Sequence, residues 1–162
     1  MTDLTTPEST EDESGLLRPP ESGPSYSLQQ FPEKLAVIKL PVGAEIPAWA
    51  ESSSLFSVTA TATSTSVVCA GRDVPTKVTA ERGLFGFAVQ DAPDHDQAGI
   101  LVDLLTPLAA AGISIFAIST YDTIWILVKV ADAEGAAQAW TAAGHQVQAA
   151  VPVKPTRKGK KK

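Results

Sequence analysis

The chain has 162 residues, 44% of them apolar and 19% charged, with one cysteine, which suits one compact domain, or two very small ones sharing a core, with polar ends. A single cysteine, Cys69, excludes an internal disulfide and a cysteine metal cluster; no apolar run approaches the roughly eighteen residues of a membrane helix. Charge is split: residues 1–33 hold seven acids and one base, whereas 154–162 hold six bases and no acid.

The start, MTDLTTPESTEDES, lacks the basic-then-apolar order of a signal peptide, so a soluble, cytoplasmic protein is expected. Residues 1–33 read as a disordered acidic tail and 153–162 as a disordered basic one. The tail KPTRKGKKK could touch nucleic acid. The segment between holds six bases against eleven acids over 34–153, which argues against a nucleic-acid-binding domain. Order is expected to begin near Phe31–Leu35.

LAVIKL (35–40) reads as a short strand ended by Pro41, and PVGAEIPAWA leaves room for one helical turn around Ala48–Trp49. LFSVTATA (55–62) and TSVVCAG (65–71) form a hairpin by period and β-branched composition. LFGFAVQ (84–90) is the next strand, and Gly86 leaves space for something to approach its backbone. In DAPDHDQAGILVDLLTPLAAAG, Asp94 or Asp96 can cap a helix whose stripe is Ile100, Leu101, Leu104, Leu105 and Leu108. Gly112 is its left-handed stop. Pro107 removes the hydrogen bond to the Asp103 carbonyl and should kink the helix.

ISIFAIS and TIWILVK then make a hairpin with the polar tip STYD. ADAEGAAQAWTAAG (131–144) is a second helix with Asp132 as cap, Trp140 buried and Gly144 as stop. HQVQAAV (145–151) closes the pattern as a strand. From Leu84 the order βαββαβ is the ferredoxin-like arrangement, an α+β fold with a four-stranded antiparallel sheet and two helices on one face. The half from 34 to 81 repeats that outline without room for long helices, so it should pack against or extend the half from 82 to 152.

No catalytic set emerges. His95 and His145 stand apart from carboxylates and cysteines at ligand spacing, Cys69 lies in the apolar run VVCA as a buried thiol, and no nucleophile elbow, phosphate loop or dinucleotide turn occurs. A non-enzyme without metal or cofactor is the expectation.

Taken together, LFSVTATATSTSVVCAGRDVP, ERGLFGFAV, AGILVDLLTPLAAAGISIFAISTYDTIWILV and AAGHQV resemble small bacterial tandem ACT-domain proteins. The same ACT subfamily occurs in CASTOR-type cellular arginine sensors, and relatives regulate aspartate kinases. The resemblance covers residues 35–151 and is most specific in PLAAAGISIFAISTYDT. It implies two ACT-like units in tandem, the first with degenerate helices, and a small-molecule site, usually for an amino acid, between units. The positions carried over are Asp96, Gln97, Ala98, Gly99 and Ile100 on one side, with Ile118, Ser119, Thr120, Tyr121 and Asp122 on the other. Three positions depart: Ala98 stands where relatives carry the threonine of FSLTGI, Ile124 where they carry the last acid of YDTDY, and Ser64 where an acid is common.

The chemistry of those residues suits a zwitterion. A helix start near Gly99 offers unpaired N–H groups and the positive end of the helix dipole to a carboxylate, and a residue without Cβ lets a ligand reach the main chain. Asp122 could accept from the ammonium, with Ser119 and Thr120 adding contacts. Equally, Asp122–Thr123 could be a plain turn in which the Asp side chain caps its own backbone, Asp94 and Asp96 could be caps alone, and Tyr121 could lie across the sheet edge.

The expectation is a homodimeric sensor or regulator that binds a free amino acid, with no membrane or nucleic-acid partner. The alternative is a structural protein-interaction module whose ligand site has decayed, suggested by Ala98 and Ile124.

Overall fold

One strand, β1, runs over fourteen residues from Ser27 to Leu40 and joins both halves of the molecule. The computed structural model describes residues 24–90 and 97–149. After β1 come a 3-10 turn at Ala48–Glu51, β2 (Ser57–Ala60), β3 (Thr65–Ala70), a 3-10 turn at Gly71–Asp73 and β4 (Ala80–Val89). Then follow α1 (Ile100–Ala110), β5 (Ile115–Ser119), β6 (Ile124–Lys129), a 3-10 turn at Val130–Asp132, α2 (Ala133–Ala142) and β7 (Gln146–Ala149). Residues 1–23 and 150–162, together with Asp94, His95 and Asp96, lie outside the described residues.

All strands among the described residues belong to one sheet, in the order β2-β3-β1-β4-β6-β5, with β7 pairing β1. The fold is α+β, and the element order from β4 to β7 is the one read from the sequence. The sheet differs. It has seven strands, and Ser27–Gln30 of β1 lies between β4 and β7, antiparallel to the first and parallel to the second. The final strand therefore does not pair with β4 as a four-stranded ferredoxin-like sheet requires. Residues 27–33, assigned to the acidic tail, are strand instead. The physical reason is Leu28, fully buried in the core beneath the helices.

Strand alternation sends β4 and β6 side chains to two different cores. On one face Phe87, Val89, Ile126 and Val128 meet Ile100, Leu104 and Leu108 of α1 and Ala133, Ala136 and Trp140 of α2. On the other, Leu84, Ala88, Trp125 and Leu127 meet Leu35, Leu55 and Val68, because the sheet curls the N-terminal half over this face. A third cluster, with Ile38, Val67, Cys69 and Val74, fills the N-terminal half, where Trp49 of the first 3-10 turn packs on it. The hairpin partner β2 is an exposed edge, with Phe56 and Val58 each 40% exposed.

Gly86 has an apolar explanation. A Cβ there would sit 3.1 Å from the Trp125 ring and 3.2 Å from a Leu35 methyl, so the glycine admits the indole that stacks at 4.6 Å on Phe31.

The caps also differ from expectation. Gly99 caps α1 in a left-handed conformation (φ 93°), without a side-chain cap bond, and Asp132 occupies the α2 cap position without donating or accepting a side-chain cap bond. Both stop glycines hold, Gly112 at φ 70° and Gly144 at φ 91°.

Pro107 sits inside an unbroken α1. The Asp103 carbonyl, which proline cannot bond, faces Nε2 of the buried His145 at 3.4 Å. The other ring nitrogen, Nδ1, accepts the Tyr26 backbone N–H at 3.3 Å. With Nδ1 accepting, Nε2 is the nitrogen placed to donate to that carbonyl, so one ring fills the helix defect and fastens the start of β1.

Candidate functional site

The sheet order sets which loops meet. Ala88 of β4 pairs with Trp125 of β6, and the Thr123 hydroxyl donates to the Val89 carbonyl. The β5–β6 tip thus lies beside the end of β4, the strand from which the chain runs on to α1. Tip and helix start share one end of the sheet.

At the helix start, Gln97, Ala98 and Gly99 are exposed and Ile100 is buried in the helix-side core. The first helical bond runs from the Asp103 N–H to the Gly99 carbonyl at 3.0 Å. The N–H groups of Ile100, Leu101 and Val102 precede that ladder, as at any helix beginning. Gln97 has a structural job: its amide donates to the Tyr26 hydroxyl at 3.1 Å, and that hydroxyl in turn donates to Asp103 at 3.4 Å. Burial, then the Asp103 charge and its hydrogen bond, push the Tyr26 hydroxyl pKa up. Tyr26 stays neutral and ties the turn before α1 to β1.

At the tip, Ser119, Thr120, Tyr121 and Asp122 are all exposed. Thr120 closes the turn: its N–H and hydroxyl donate to the Thr123 carbonyl at 2.8 and 3.0 Å, and the Thr123 N–H returns to the Thr120 hydroxyl at 3.1 Å. The expected alternative, an Asp122 side chain capping its own backbone, is replaced by this threonine cap. That leaves the Asp122 carboxylate exposed at the strand end. Ile118 is not part of the same face; its side chain packs with Trp125 in the core opposite the helices. Ile124 packs against the helix-side core. Of the ten predicted positions, Asp96 lies outside the described residues and the remaining nine fall at this end of the sheet.

Residues 80–141 match the family model of the ACT domain. That part of the chain is an ACT domain. Residues 33–77 match a second family model, an N-terminal domain. The predicted positions from Gln97 to Ile100 and from Ile118 to Asp122 lie inside the ACT match. No match was found among curated proteins.

Solved structures share the fold. An Agrobacterium tumefaciens protein superposes with a TM-score of 0.75 at 29% identity, covering 83% of this chain and 100% of that one. A Vibrio cholerae protein does so with a TM-score of 0.58 at 17% identity, covering 74% and 90%. The allosteric aspartate kinase of Clostridium acetobutylicum gives a TM-score of 0.55 at 14% identity, covering 74% of this chain but 34% of that enzyme. At the identities of the last two, the likeness is one of fold.

Sequence reasoning missed a second polar cluster, in the N-terminal half outside the ACT match. Glu33 accepts from the Ser54 N–H and hydroxyl, each at 2.5 Å, and from the Ser53 hydroxyl at 3.2 Å. It also pairs with Arg72. Burial pushes the Glu33 carboxyl up, but the Ser54 bonds and the Arg72 guanidinium outweigh it, and the pKa lies below the usual carboxylate range. The only signal in the sequence was a pair of opposite charges 39 residues apart, which no spacing rule detects.

Among the described residues, no group of three or more His, Cys, Asp or Glu side chains converges as a metal site would require. Burial, followed by the Asp73 charge, raises the pKa of the buried Cys69 thiol, which disfavours its reactive thiolate. Among the same residues, no helix is long and apolar enough to cross a membrane.

Proposed function

We propose that this protein is a sensor or regulator that binds a free amino acid between the start of α1 and the β5–β6 tip. The exposed Asp122 carboxylate, left outside the turn's own hydrogen bonds at the sheet end shared with α1, carries the reading. The ligand carboxylate meets the N–H groups at Gly99–Leu101, where the helix dipole favours negative charge. The ligand ammonium meets Asp122. Ser119 and Thr120 add hydroxyls at the rim.

The reading extends to two ACT-like units in tandem and to a cytoplasmic homodimer in which a ligand between units changes their packing. A ligand regulates only if it prefers one arrangement over another, and a site between units supplies that preference. Support for pairing comes from β5, an edge strand carrying Phe116 at 41% exposure. Dimers are expected by light scattering at micromolar concentration; a monomer there contradicts the pairing.

A thermal-shift screen against the twenty amino acids tests the binding. A true ligand at a hundredfold its dissociation constant stabilises by about 2.7 kcal/mol. Asp122→Ala should abolish that shift while leaving the unliganded melting temperature unchanged, because Thr120 and not Asp122 closes the turn. A shift that survives Asp122→Ala contradicts the proposed contact.

One observation favours the second reading, an interaction module with a decayed site: Ile124 packs against the core, at a position where the resemblance implies an acid. No shift with any amino acid would select it.

A further inference from the structure

We propose a second binding site, separate from the α1 niche, for a small molecule bearing a carboxylate or phosphate group. It is the groove of about 530 Å³ where Pro32–Lys34 of β1 and the Gly71–Arg72 turn face Arg82–Gly83 of β4. Its volume falls within the range typical of small-ligand sites.

Two irregularities in one strand pair open it. Between Gln30↔Phe87 and Lys34↔Phe85, three β1 residues oppose Gly86 alone; between Leu35↔Leu84 and Ala36↔Arg82, Gly83 is the extra residue. Bulges of this kind re-aim side chains and are over-represented at functional sites. Gly83 has φ 70°, and a Cβ built there meets nothing within 4 Å. The main chain is thus reachable from solvent at that point.

The groove's polar groups are donors with charge to spare. Its one acid, Glu33, already accepts from Arg72, Ser53 and Ser54, so it has little left to offer a cation. Arg82 donates through Nη1 to the Val74 carbonyl at 3.0 Å and through Nη2 to the Pro75 and Val78 carbonyls at 2.7 and 3.3 Å. A guanidinium has five N–H donors, so its Nε–H and one Nη1–H remain. Arg72 uses Nη1 for Glu33, Nη2 for the Ser52 carbonyl at 2.9 Å and Nε for Asp73 at 3.3 Å, again leaving two hydrogens. The exposed Lys34 forms no ion pair among the described residues.

Two guanidinium groups held in place by their own backbone and carboxylate bonds need little further ordering to meet an oxyanion, which is the condition for preorganised recognition. The groove also joins residues of the 33–77 match to residues of the ACT match. An anion bound there bridges the two halves.

A titration of the full chain with inorganic phosphate at constant ionic strength, followed by amide NMR, tests the site. Saturable shifts are expected at Lys34, Gly71, Arg72 and Gly83, with sodium chloride giving none. Citrate in a parallel titration supplies the carboxylate; whichever anion saturates at lower concentration names the preferred group, and saturation by either upholds the site. Lys34→Glu, at an exposed position, should weaken saturation by at least about tenfold, the effect of losing one charge-assisted bond. Asp122→Ala should leave it unchanged. Linear shifts with both anions, wild-type saturation in Lys34→Glu, or loss in Asp122→Ala would overturn the proposal.

Discussion

Replacing Trp140 by alanine is expected to cost about 3–5 kcal/mol of folding stability. The side chain is fully buried, its ring meets Phe87 edge-on at 4.9 Å, and its indole N–H donates to the Leu104 carbonyl at 2.8 Å. One residue of α2 thereby holds the sheet and α1 together. Truncation removes the largest volume from the helix-side core and with it a buried hydrogen bond. Since a domain has only about 5–15 kcal/mol in hand, the loss should be plain in urea denaturation as a lower midpoint at similar slope. A cost below about 1 kcal/mol would show that α2 does not pack as described.

Leu28→Ala is expected to cost about 2–5 kcal/mol, the usual loss for a fully buried leucine. Leu28 pairs with Val89 on one side and Val147 on the other and has no solvent exposure. The same substitution in a disordered tail would cost nothing measurable. Equilibrium unfolding of the full chain therefore decides between a fourteen-residue β1 inserted beside β4 and a strand that begins near Leu35. No change in stability would restore the shorter strand.

That contrast shows which signals the sequence carried. Strand and helix types from Leu84 to Val147 were legible because their apolar residues repeat at the periods of strand and helix, and Gly112 and Gly144 mark helix ends by a conformation other residues avoid. The N-terminal stretch of β1 was not legible. SLQQFPE is polar, contains a proline, and has one deeply buried residue, Leu28, whose register partners Val89 and Val147 lie 61 and 119 positions later. Gly86 does leave space at its backbone, and the Trp125 ring takes it. The Asp132 cap failed, since its side chain makes no cap bond, and of the two readings of the tip the Asp122 turn cap gives way to Thr120. His145 is buried because Pro107 leaves a carbonyl bare 42 residues earlier, a pairing that no window along the chain contains. As for the niche, its two sides stood out through resemblance to a family; composition alone singles out Asp122 and little else.

The ligand niche is tested most directly by amide hydrogen exchange, with and without the amino acid that raises the melting temperature most. Protection confined to residues 97–100 and 119–122, absent in Asp122→Ala, is the predicted result. Protection at 33–34 and 71–72 with the α1 start and the hairpin tip unchanged would contradict it.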